Sequence, residues 1–338
     1  MNSIEQIFIV GSGRSGTTML SRILNIHNQI FTFHEIHFLG LMYSSNNLNT
    51  LLKKKDSVNL LSELLAIQEN GIFLKNRKSQ FKNKSEKYLG NFDNLKAVEV
   101  YKIFLETVTK EKGCTIACEH TPRNVFYLPE LFLAFPNAKF IHMVRDSRDV
   151  LLSQKKKWKR RFLGVSKIPL LEVLRSYLNY HPITSSKFWQ SAVLHGHKME
   201  VNDRVKSVKF EQLLHNPEKI ITEICQFLGV EFDKKMLLVP NIGSSTELDK
   251  KNELKIDKAK IEKWKNGGLN NAEIYLSQLM GKDMMRKYNY SIKTFKIAPF
   301  FVFYYAVTFP LKSVLALLFN LKRLKNISKI IKQKLLLK

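Results

Sequence analysis

A glycine-rich segment near the start of the chain carries the residue types that bind an anion. Residues 11–18 (GSGRSGTT) follow the apolar run 7–10 and precede apolar residues at positions 19, 20, 23 and 24, which have helical spacing. A loop between a strand and a helix favours phosphate, because glycines allow close approach, free N–H groups point at the anion and the helix dipole favours negative charge. The segment therefore predicts a phosphate-binding loop.

The position of the cation in this loop limits the chemistry. The spacing of Gly11 and Gly16 matches a P-loop, but Thr17 stands where a nucleoside triphosphatase has its phosphate-binding lysine. The positive charge lies instead at Arg14, inside the loop. A loop without this lysine is a poor fit for a reaction on a triphosphate that is held by a metal ion. It suits a 5′-phosphate that carries a substituent needing a cation beside it. A nucleotide or sugar kinase of the P-loop type remains an alternative.

A carboxylate in an apolar and aromatic stretch is a candidate general base. Glu35 lies within residues 31–39 (FTFHEIHFL), where burying a charged group is unfavourable unless the group is paired or has a function. This setting predicts a raised pKa for Glu35, which suits proton transfer near neutral pH. Three histidines are rivals for the role, because imidazole titrates near neutral pH; they are His34, His37 and His120.

A second cation and a hydroxyl follow a later apolar run. Arg145 comes directly after residues 139–144, and Ser153 lies about two turns into the helix expected next. Together these groups suit a second phosphate. The basic cluster 155–161 (KKKWKRR) follows, and it is either a solvated helix face or a clamp on the nucleotide or an acidic acceptor.

The elements that must position these residues alternate between strand and helix patterns. The runs 7–10, 114–118, 139–144 and 205–210 predict strands, with helical patterns between them. This alternation indicates an α/β fold. Ligands of open α/β sheets bind at the carboxyl ends of the strands, which is where the segments 11–18, 119–124 and 145–149 begin.

Composition narrows the classes of partner. The 338 residues include 55 lysines and arginines against 29 acids, for a formal net charge of +26. This charge favours polyanions, anionic membranes or phosphorylated substrates. No signature of a nucleic-acid-binding module is present, so no nucleic-acid partner is expected. Three irregularly spaced cysteines predict neither a disulfide framework nor a zinc site, so we expect no metal and a reducing, cytoplasmic compartment.

The C-terminal segment differs from the rest of the chain. Residues 297–311 are almost wholly apolar, and the stretch after Asn320 contains seven lysines and arginines and no acid. We expect residues 1–295 to form one domain and residues 296–338 to form an apolar, then basic, helical tail on an anionic membrane surface. Spanning the membrane and packing on protein remain open. The first strand begins within ten residues, so no signal peptide is expected, and the inner membrane face is the expected location.

Several motifs together resemble the sulfotransferase superfamily that uses 3′-phosphoadenosine 5′-phosphosulfate (PAPS). They are residues 11–18, 34–35, 119–124, 139–153 and 210–229, in the expected order. The likeness is greatest to the branch containing tyrosylprotein and bacterial carbohydrate sulfotransferases. It implies a P-loop-like parallel sheet flanked by helices, and transfer of a sulfuryl group to a hydroxyl. We expect the acceptor to be a carbohydrate or a glycolipid, with specificity in regions 41–110 and 155–200.

The resemblance also implies roles for individual residues. Arg14 would contact the sulfuryl group and the leaving phosphate, and Glu35 would be the catalytic base. The implied donor-binding residues are Gly13, Arg14, Ser15, Gly16, Thr17 and Thr18 at the 5′-phosphosulfate, Arg145 and Ser153 at the 3′-phosphate, and Phe210 near the adenine.

Two positions depart from the pattern of the family. His120 stands where many relatives have lysine, so it could act as an acid or base but not as a permanent charge. Phe210 stands where many members have tyrosine, which keeps stacking and loses a hydroxyl. A catalytically silent nucleotide-binding membrane adaptor is the remaining alternative, because a fold can be kept without its activity.

Overall fold

The computed structural model describes residues 4–44, 47–163, 168–242, 245–294, 296 and 299–320. The strands among these residues are β1 (Glu5–Gly11), β2 (Ile30–Thr32), β3 (Leu51–Leu52), β4 (Leu95–Lys96), β5 (Ile116–Glu119), β6 (Lys139–Val144), β7 (Val205–Lys209), β8 (Pro240–Asn241) and β9 (Lys250–Leu254). The α-helices are α1 (Thr17–Leu24), α2 (Lys54–Asn70), α3 (Lys82–Leu89), α4 (Ala97–Glu111), α5 (Leu128–Ala134), α6 (Ser147–Lys155), α7 (Leu170–Leu178), α8 (Pro182–Lys198), α9 (Phe210–His215), α10 (Pro217–Leu228), α11 (Asn271–Lys287) and α12 (Pro299–Asn320).

A parallel five-stranded sheet forms the centre of the described chain. Its strand order is β2-β5-β1-β6-β7, and all four pairings are parallel. The chain leaves β1 toward β2 and β5 on one side and later returns to β6 and β7 on the other. The carboxyl end of β1 is therefore the switch point at which open α/β sheets bind ligands.

The side chains of β1 explain why helices cover both faces of the sheet. Phe8 and Val10 pack with α2 and α4, and Ile7 and Ile9 pack on the other face with α1, α9 and α10. All four are at most 2% exposed. This alternation follows the two-residue period of a strand, and burial on both faces is typical of parallel sheets.

The expected sheet flanked by helices is confirmed, and the four expected strands are present as β1, β5, β6 and β7. Strand β2 was not expected, because its three residues are too few to show a period. Two small antiparallel sheets were also not expected. They are β3–β4, in which both strands have two residues, and β8–β9, in which one strand has two residues.

The C-terminal apolar helix, α12, packs on α7, α8 and α11. Among the described residues it is the one helix long and apolar enough to cross a membrane by length and composition, and none of its own residues is buried. The basic tail expected after Asn320 lies outside the described residues.

Candidate active site

The glycine-rich loop joins the carboxyl end of β1 to the start of α1, and close packing fixes two of its glycines. Gly11 has a φ of +150°, and a Cβ there would lie 2.4 Å from the carbonyl oxygen of Met143 in β6. Gly16 has a φ of +96°, and its Cβ would lie 2.3 Å from the ring of Phe210. Only glycine fits both positions. The resulting backbone path places the N terminus of α1, with its free N–H groups, at the carboxyl edge of the sheet.

A cavity of about 1080 Å³, including space open to solvent, lies at this edge. Among the described residues that line it, seven are arginine or lysine and two are acidic, so its interior favours an anionic ligand. Most of the predicted site residues line this cavity: Gly13, Arg14, Gly16, Thr17, Thr18, Glu35, Arg145, Ser153 and Phe210.

Two predicted residues, Ser15 and His120, are not among the lining residues. Ser15 is a fully buried residue of the loop, and its hydroxyl has no hydrogen-bond partner within the described part of the chain. His120 is 6% exposed, and burial outweighs the raising effect of the Glu35 charge and lowers its pKa to about 4. The imidazole is therefore neutral near pH 7, as expected of a residue that cannot replace a lysine charge.

Arg14 connects the loop to two distant segments. Its Nε donates to Ser153 Oγ in α6 at 2.9 Å, and its Nη2 donates to Ser245 Oγ at 2.7 Å. Its own φ of +76° is uncommon for a residue with a side chain. Burial and the neighbouring charges of Arg160 and Arg145 lower the pKa of Arg14 to about 9, so it stays cationic near neutral pH.

Arg145 leaves the end of β6 and lies beside Arg14. Its Nη1 donates to the carbonyl oxygen of Arg14 at 3.4 Å, and its Nη2 donates to that of Lys260 at 2.8 Å. Its guanidinium lies 4.3 Å from the ring centroid of Phe210, which is 2% exposed. Phe210 therefore lies between Gly16 and Arg145 and orients the arginine.

Glu35 lies beside the start of α1. The carboxylate is 3.3 Å from His37 Nε2 and accepts a hydrogen bond of 3.4 Å from Thr18 Oγ1. Desolvation raises its pKa, but the hydrogen bond and charge of His37, together with His120 and Lys157, outweigh it and hold the pKa below its ordinary value. The expectation of a raised pKa was wrong in direction. The carboxylate is ionised near neutral pH and can accept a proton.

A buried carboxylate anchors the segment that carries Glu35. Glu119, at the end of β5, accepts hydrogen bonds from the backbone N–H groups of Ile36 and Thr121 at 3.4 and 3.1 Å and from Asn124 Nδ2 at 2.6 Å. Thr121 Oγ1 also donates to it and accepts from the N–H of His37. Burial raises the pKa of Glu119 to about 7. Glu119 was not among the predicted site residues, although its position at a strand end could have indicated a role.

The basic cluster 155–161 divides between two roles. Lys157 and Arg160 line the cavity, whereas Lys155 forms an ion pair of 2.7 Å with Glu273 in α11. Desolvation and the nearby Arg14, Arg123 and Arg160 lower the pKa of Lys157 to about 8. Lys157 therefore places a cation in the region that His120 leaves without permanent charge.

Other lining residues come from segments in which no motif indicates a function. Arg22 lies in α1, and Ser245, Thr246, Lys260 and Lys263 lie between β8 and α11. The described residues contain no cluster of three or more histidine, cysteine, aspartate or glutamate side chains placed to hold a metal ion.

Comparisons with known proteins identify the family of the chain. A sequence model of the sulfotransferase family matches residues 6–234. An uncharacterised protein of Aquifex aeolicus strain VF5 is 24% identical over 237 residues, which cover 70% of this chain and 27% of that protein. The chain thus spans about a quarter of the length of this curated relative.

Two solved structures share the fold. The sulfotransferase domain of the Synechococcus PCC 7002 olefin synthase has a TM-score of 0.53 and 21% identity, and the match covers 87% of this chain and 98% of the domain. A sulfotransferase domain from the curacin biosynthetic pathway has a TM-score of 0.52 and 18% identity, with coverage of 87% and 99%. With the family match over more than half its length, the chain belongs to the sulfotransferase family.

Proposed function

We propose that this chain transfers the sulfuryl group of PAPS to a hydroxyl acceptor. The observation that carries the proposal is one cavity in which a P-loop-like segment without its lysine, the Arg145–Ser153 pair and the Glu35 carboxylate meet. A kinase would need a lysine where Thr17 stands. The proposal assigns two anion sites to this cavity, one at the loop and one at α6, as a donor with 5′- and 3′-phosphates requires.

The residues present fit such a donor. Arg145 Nε is buried and has no hydrogen-bond partner among the described residues, although the side chain lines the cavity, so a phosphate oxygen would satisfy it. Thr17, Thr18 and the first N–H groups of α1 would hold the 5′-phosphate, with Gly13, Ser15 and Gly16 shaping the loop. Arg145 and Ser153 would hold the 3′-phosphate.

The chemistry assigned to the chain is positioning, proton acceptance and charge stabilisation. PAPS supplies a sulfuryl group activated by its bond to phosphate. Glu35, ionised near neutral pH, would accept the proton of the acceptor hydroxyl. Arg14 and Lys157 would stabilise negative charge on the departing phosphate, while the neutral His120 would shape the pocket around Glu35.

We further propose that the acceptor is a carbohydrate or glycolipid and that the enzyme works on an anionic membrane surface at the cytoplasmic face. The mainly polar and basic cavity supports a polar acceptor. The exposed apolar residues of α12 and the acid-free basic sequence after Asn320 support membrane association.

Labelled PAPS tests the proposal directly. The full chain would be incubated with PAPS and a panel of glycans and glycolipids, beside an Arg14→Ala variant and an Arg77→Ala control in an exposed segment. We expect label transfer by the wild type and the control, and loss of transfer by Arg14→Ala. Binding of the desulfated nucleotide without turnover on any acceptor would favour a silent adaptor, and magnesium-dependent ATP binding would favour a kinase.

A further inference from the structure

The outer face of α12 is a continuous apolar stripe. Its exposed side chains recur every three or four residues, which places them on one side of a helix. They are between 54% and 70% exposed and comprise Phe300, Phe303, Val307, Leu311, Val314 and Leu318. A stripe of this length on a protein surface marks an interaction site.

Polar contacts fix the opposite side of α12 to the protein along most of its length. Asn270 Nδ2 donates to Tyr305 OH at 3.1 Å, and Asn320 Nδ2 donates to Asn179 Oδ1 at 2.8 Å. His181, at the start of α8, is 3.4 Å from Thr308 Oγ1. The span from residue 305 to residue 320 is about 22 Å at 1.5 Å per residue. A helix held in this way cannot cross a bilayer unless its polar partners enter the hydrocarbon with it, which is strongly unfavourable.

Helix α7 extends the apolar stripe sideways. Leu170, Leu171, Leu174 and Tyr177 of α7 are between 46% and 65% exposed. Helices α7 and α12 are in contact, and Lys312 Nζ lies 5.3 Å from the ring centroid of Tyr177. We call these four residues and the six of the α12 stripe the α7–α12 surface.

The α7–α12 surface adjoins one wall of the active-site cavity. Trp158 lies edge-on to Tyr177 with 6.2 Å between the ring centroids. Its neighbours Lys157 and Arg160 line the cavity that also contains Glu35. A single short segment, residues 157–163, therefore contacts both the cavity and α7.

We propose that the α7–α12 surface lies flat on an anionic bilayer, without crossing it, and presents the cavity to the hydroxyl of a membrane lipid headgroup. Charge identifies the occupant, because Lys312 lies beside Tyr177 of this surface and the sequence after Asn320 has seven basic residues and no acid. Such a combination binds anionic lipid surfaces. The acceptor part of this proposal rests on the proposed sulfotransfer, whereas the docking part deepens the proposed membrane association and does not depend on catalysis.

Vesicle binding tests the docking part. The full chain would be sedimented with vesicles of phosphatidylcholine alone or of phosphatidylcholine with phosphatidylglycerol. The variant Leu171→Glu/Leu174→Glu is compared with Leu133→Glu, which changes an exposed leucine of α5 outside the surface. We expect the wild type to bind only the vesicles that contain the anionic lipid. The α7 variant should lose vesicle affinity by about tenfold or more, because its two leucines are no longer buried in the bilayer, and the control should lose none. Binding of the desulfated nucleotide, measured by calorimetry, checks that each variant is folded.

Three results would overturn the docking part. They are equal binding to both kinds of vesicle, unchanged binding of the α7 variant, and retention of the chain in membranes washed with alkaline carbonate, which removes helices that only lie on the surface. A dimer in solution that the α7 variant dissociates would instead assign the surface to a second copy of the chain.

The acceptor part is tested by turnover. We expect the α7 variant to lose sulfation of a vesicle-borne glycolipid by about tenfold or more, in step with binding, and to keep turnover of the same headgroup in soluble form. Equal losses on both acceptors would refute a lipid acceptor reached from the surface. If no acceptor is sulfated although vesicle binding holds, the proposed function fails and the docking stands.

Discussion

Arg14 and Ser153 are 139 residues apart in the chain, yet a hydrogen bond of 2.9 Å joins the Nε of one to the Oγ of the other. The bond connects the loop after β1 to the first helix after β6, so the two expected phosphate sites form one continuous surface. The guanidinium also reaches Ser245, and both serines are almost fully buried.

Removing the Ser153 hydroxyl should weaken recognition of the 3′-phosphate more than that of the 5′-phosphate, because Arg14 keeps its second contact with Ser245. We expect Ser153→Ala to lower the affinity for 3′,5′-diphosphoadenosine by roughly tenfold or more, because hydrogen bonds to charged groups contribute about 1.5–3 kcal/mol. Affinity for adenosine 5′-phosphate, which lacks the 3′-phosphate, should change little. Calorimetry with both nucleotides measures the difference, and equal losses for the two would contradict the assignment.

Glu35 should affect turnover rather than donor binding. If the ionised carboxylate accepts the acceptor proton, Glu35→Gln lowers kcat by about 10²–10⁴-fold, as the loss of a general base does. Affinity for the desulfated nucleotide should stay within about threefold, because the proposal assigns Glu35 to the acceptor proton and not to donor binding. A threefold change corresponds to less than the 1.4 kcal/mol of binding free energy that a tenfold change requires. Glu35→Asp is the conservative control and should retain part of the activity. A fall in nucleotide affinity with unchanged kcat would assign Glu35 to donor binding.

Lys157 predicts a pH dependence of donor binding. Because its pKa is lowered to about 8, the side chain loses its charge as the pH rises through that value, well before an ordinary lysine. Nucleotide affinity should therefore fall between about pH 7 and 9, and binding should take up a proton there. Lys157→Arg should keep the high-pH affinity, while Lys159→Arg, which changes a neighbouring lysine that is not among the cavity-lining residues, should behave as the wild type. Calorimetry in buffers of different ionisation enthalpy measures the uptake.

Glu119 predicts a pH dependence of stability. Its pKa is about 7 in the folded chain and 4.5 ordinarily, so the folded state holds the extra proton between these values. The stabilisation is present below the ordinary pKa and is lost as the pH rises through about 7. The free energy of unfolding of the wild type relative to Glu119→Gln should therefore fall across this window, by no more than about 3 kcal/mol. Denaturant unfolding at several pH values measures it, with the exposed Glu231→Gln as control; a flat difference would contradict the burial argument.

The close packing of Gly16 on Phe210 predicts unequal effects of two similar changes. Gly16→Ala places a Cβ 2.3 Å from the ring at a positive φ, so it should destabilise the chain and weaken nucleotide binding. Gly13→Ala meets its nearest neighbour, Gln154 Nε2, at an ordinary 3.5 Å and should be tolerated. Thermal unfolding and nucleotide calorimetry of both variants check this. Equal destabilisation would show that the ring does not set the constraint.

The sequence predicted those parts of the site that are local. The segment 11–18 contains its strand end, glycines and helix start within a few residues, and 139–153 contains Arg145 and Ser153 in the same way. Ser245 and Lys260 could not be predicted, because their contacts with Arg14 and Arg145 join positions 231 and 115 residues apart. The predicted direction of the pKa shift of Glu35 was wrong for a related reason. The apolar neighbours are visible in the sequence, whereas the orientation of His37 toward the carboxylate is set by the fold.

The role of the basic cluster 155–161 also needed the fold. Its side chains are alike in sequence, but Lys155 contacts Glu273 and Lys157 lines the cavity. The partner of Lys155 lies 118 residues later in the chain. Charge density alone therefore could not distinguish a solvated helix face from a clamp on the ligand.

The family match stops at residue 234, but the cavity continues beyond it through Ser245, Lys260 and Lys263. A truncated protein cut at the matched boundary would keep the glycine-rich loop and lose the wall that Arg14 and Arg145 bond to. Shortened versions made for crystallisation or fusion therefore have to extend through α11. Loss of nucleotide binding in a version that ends earlier would report a missing wall of the site, and it would say nothing against the catalytic residues.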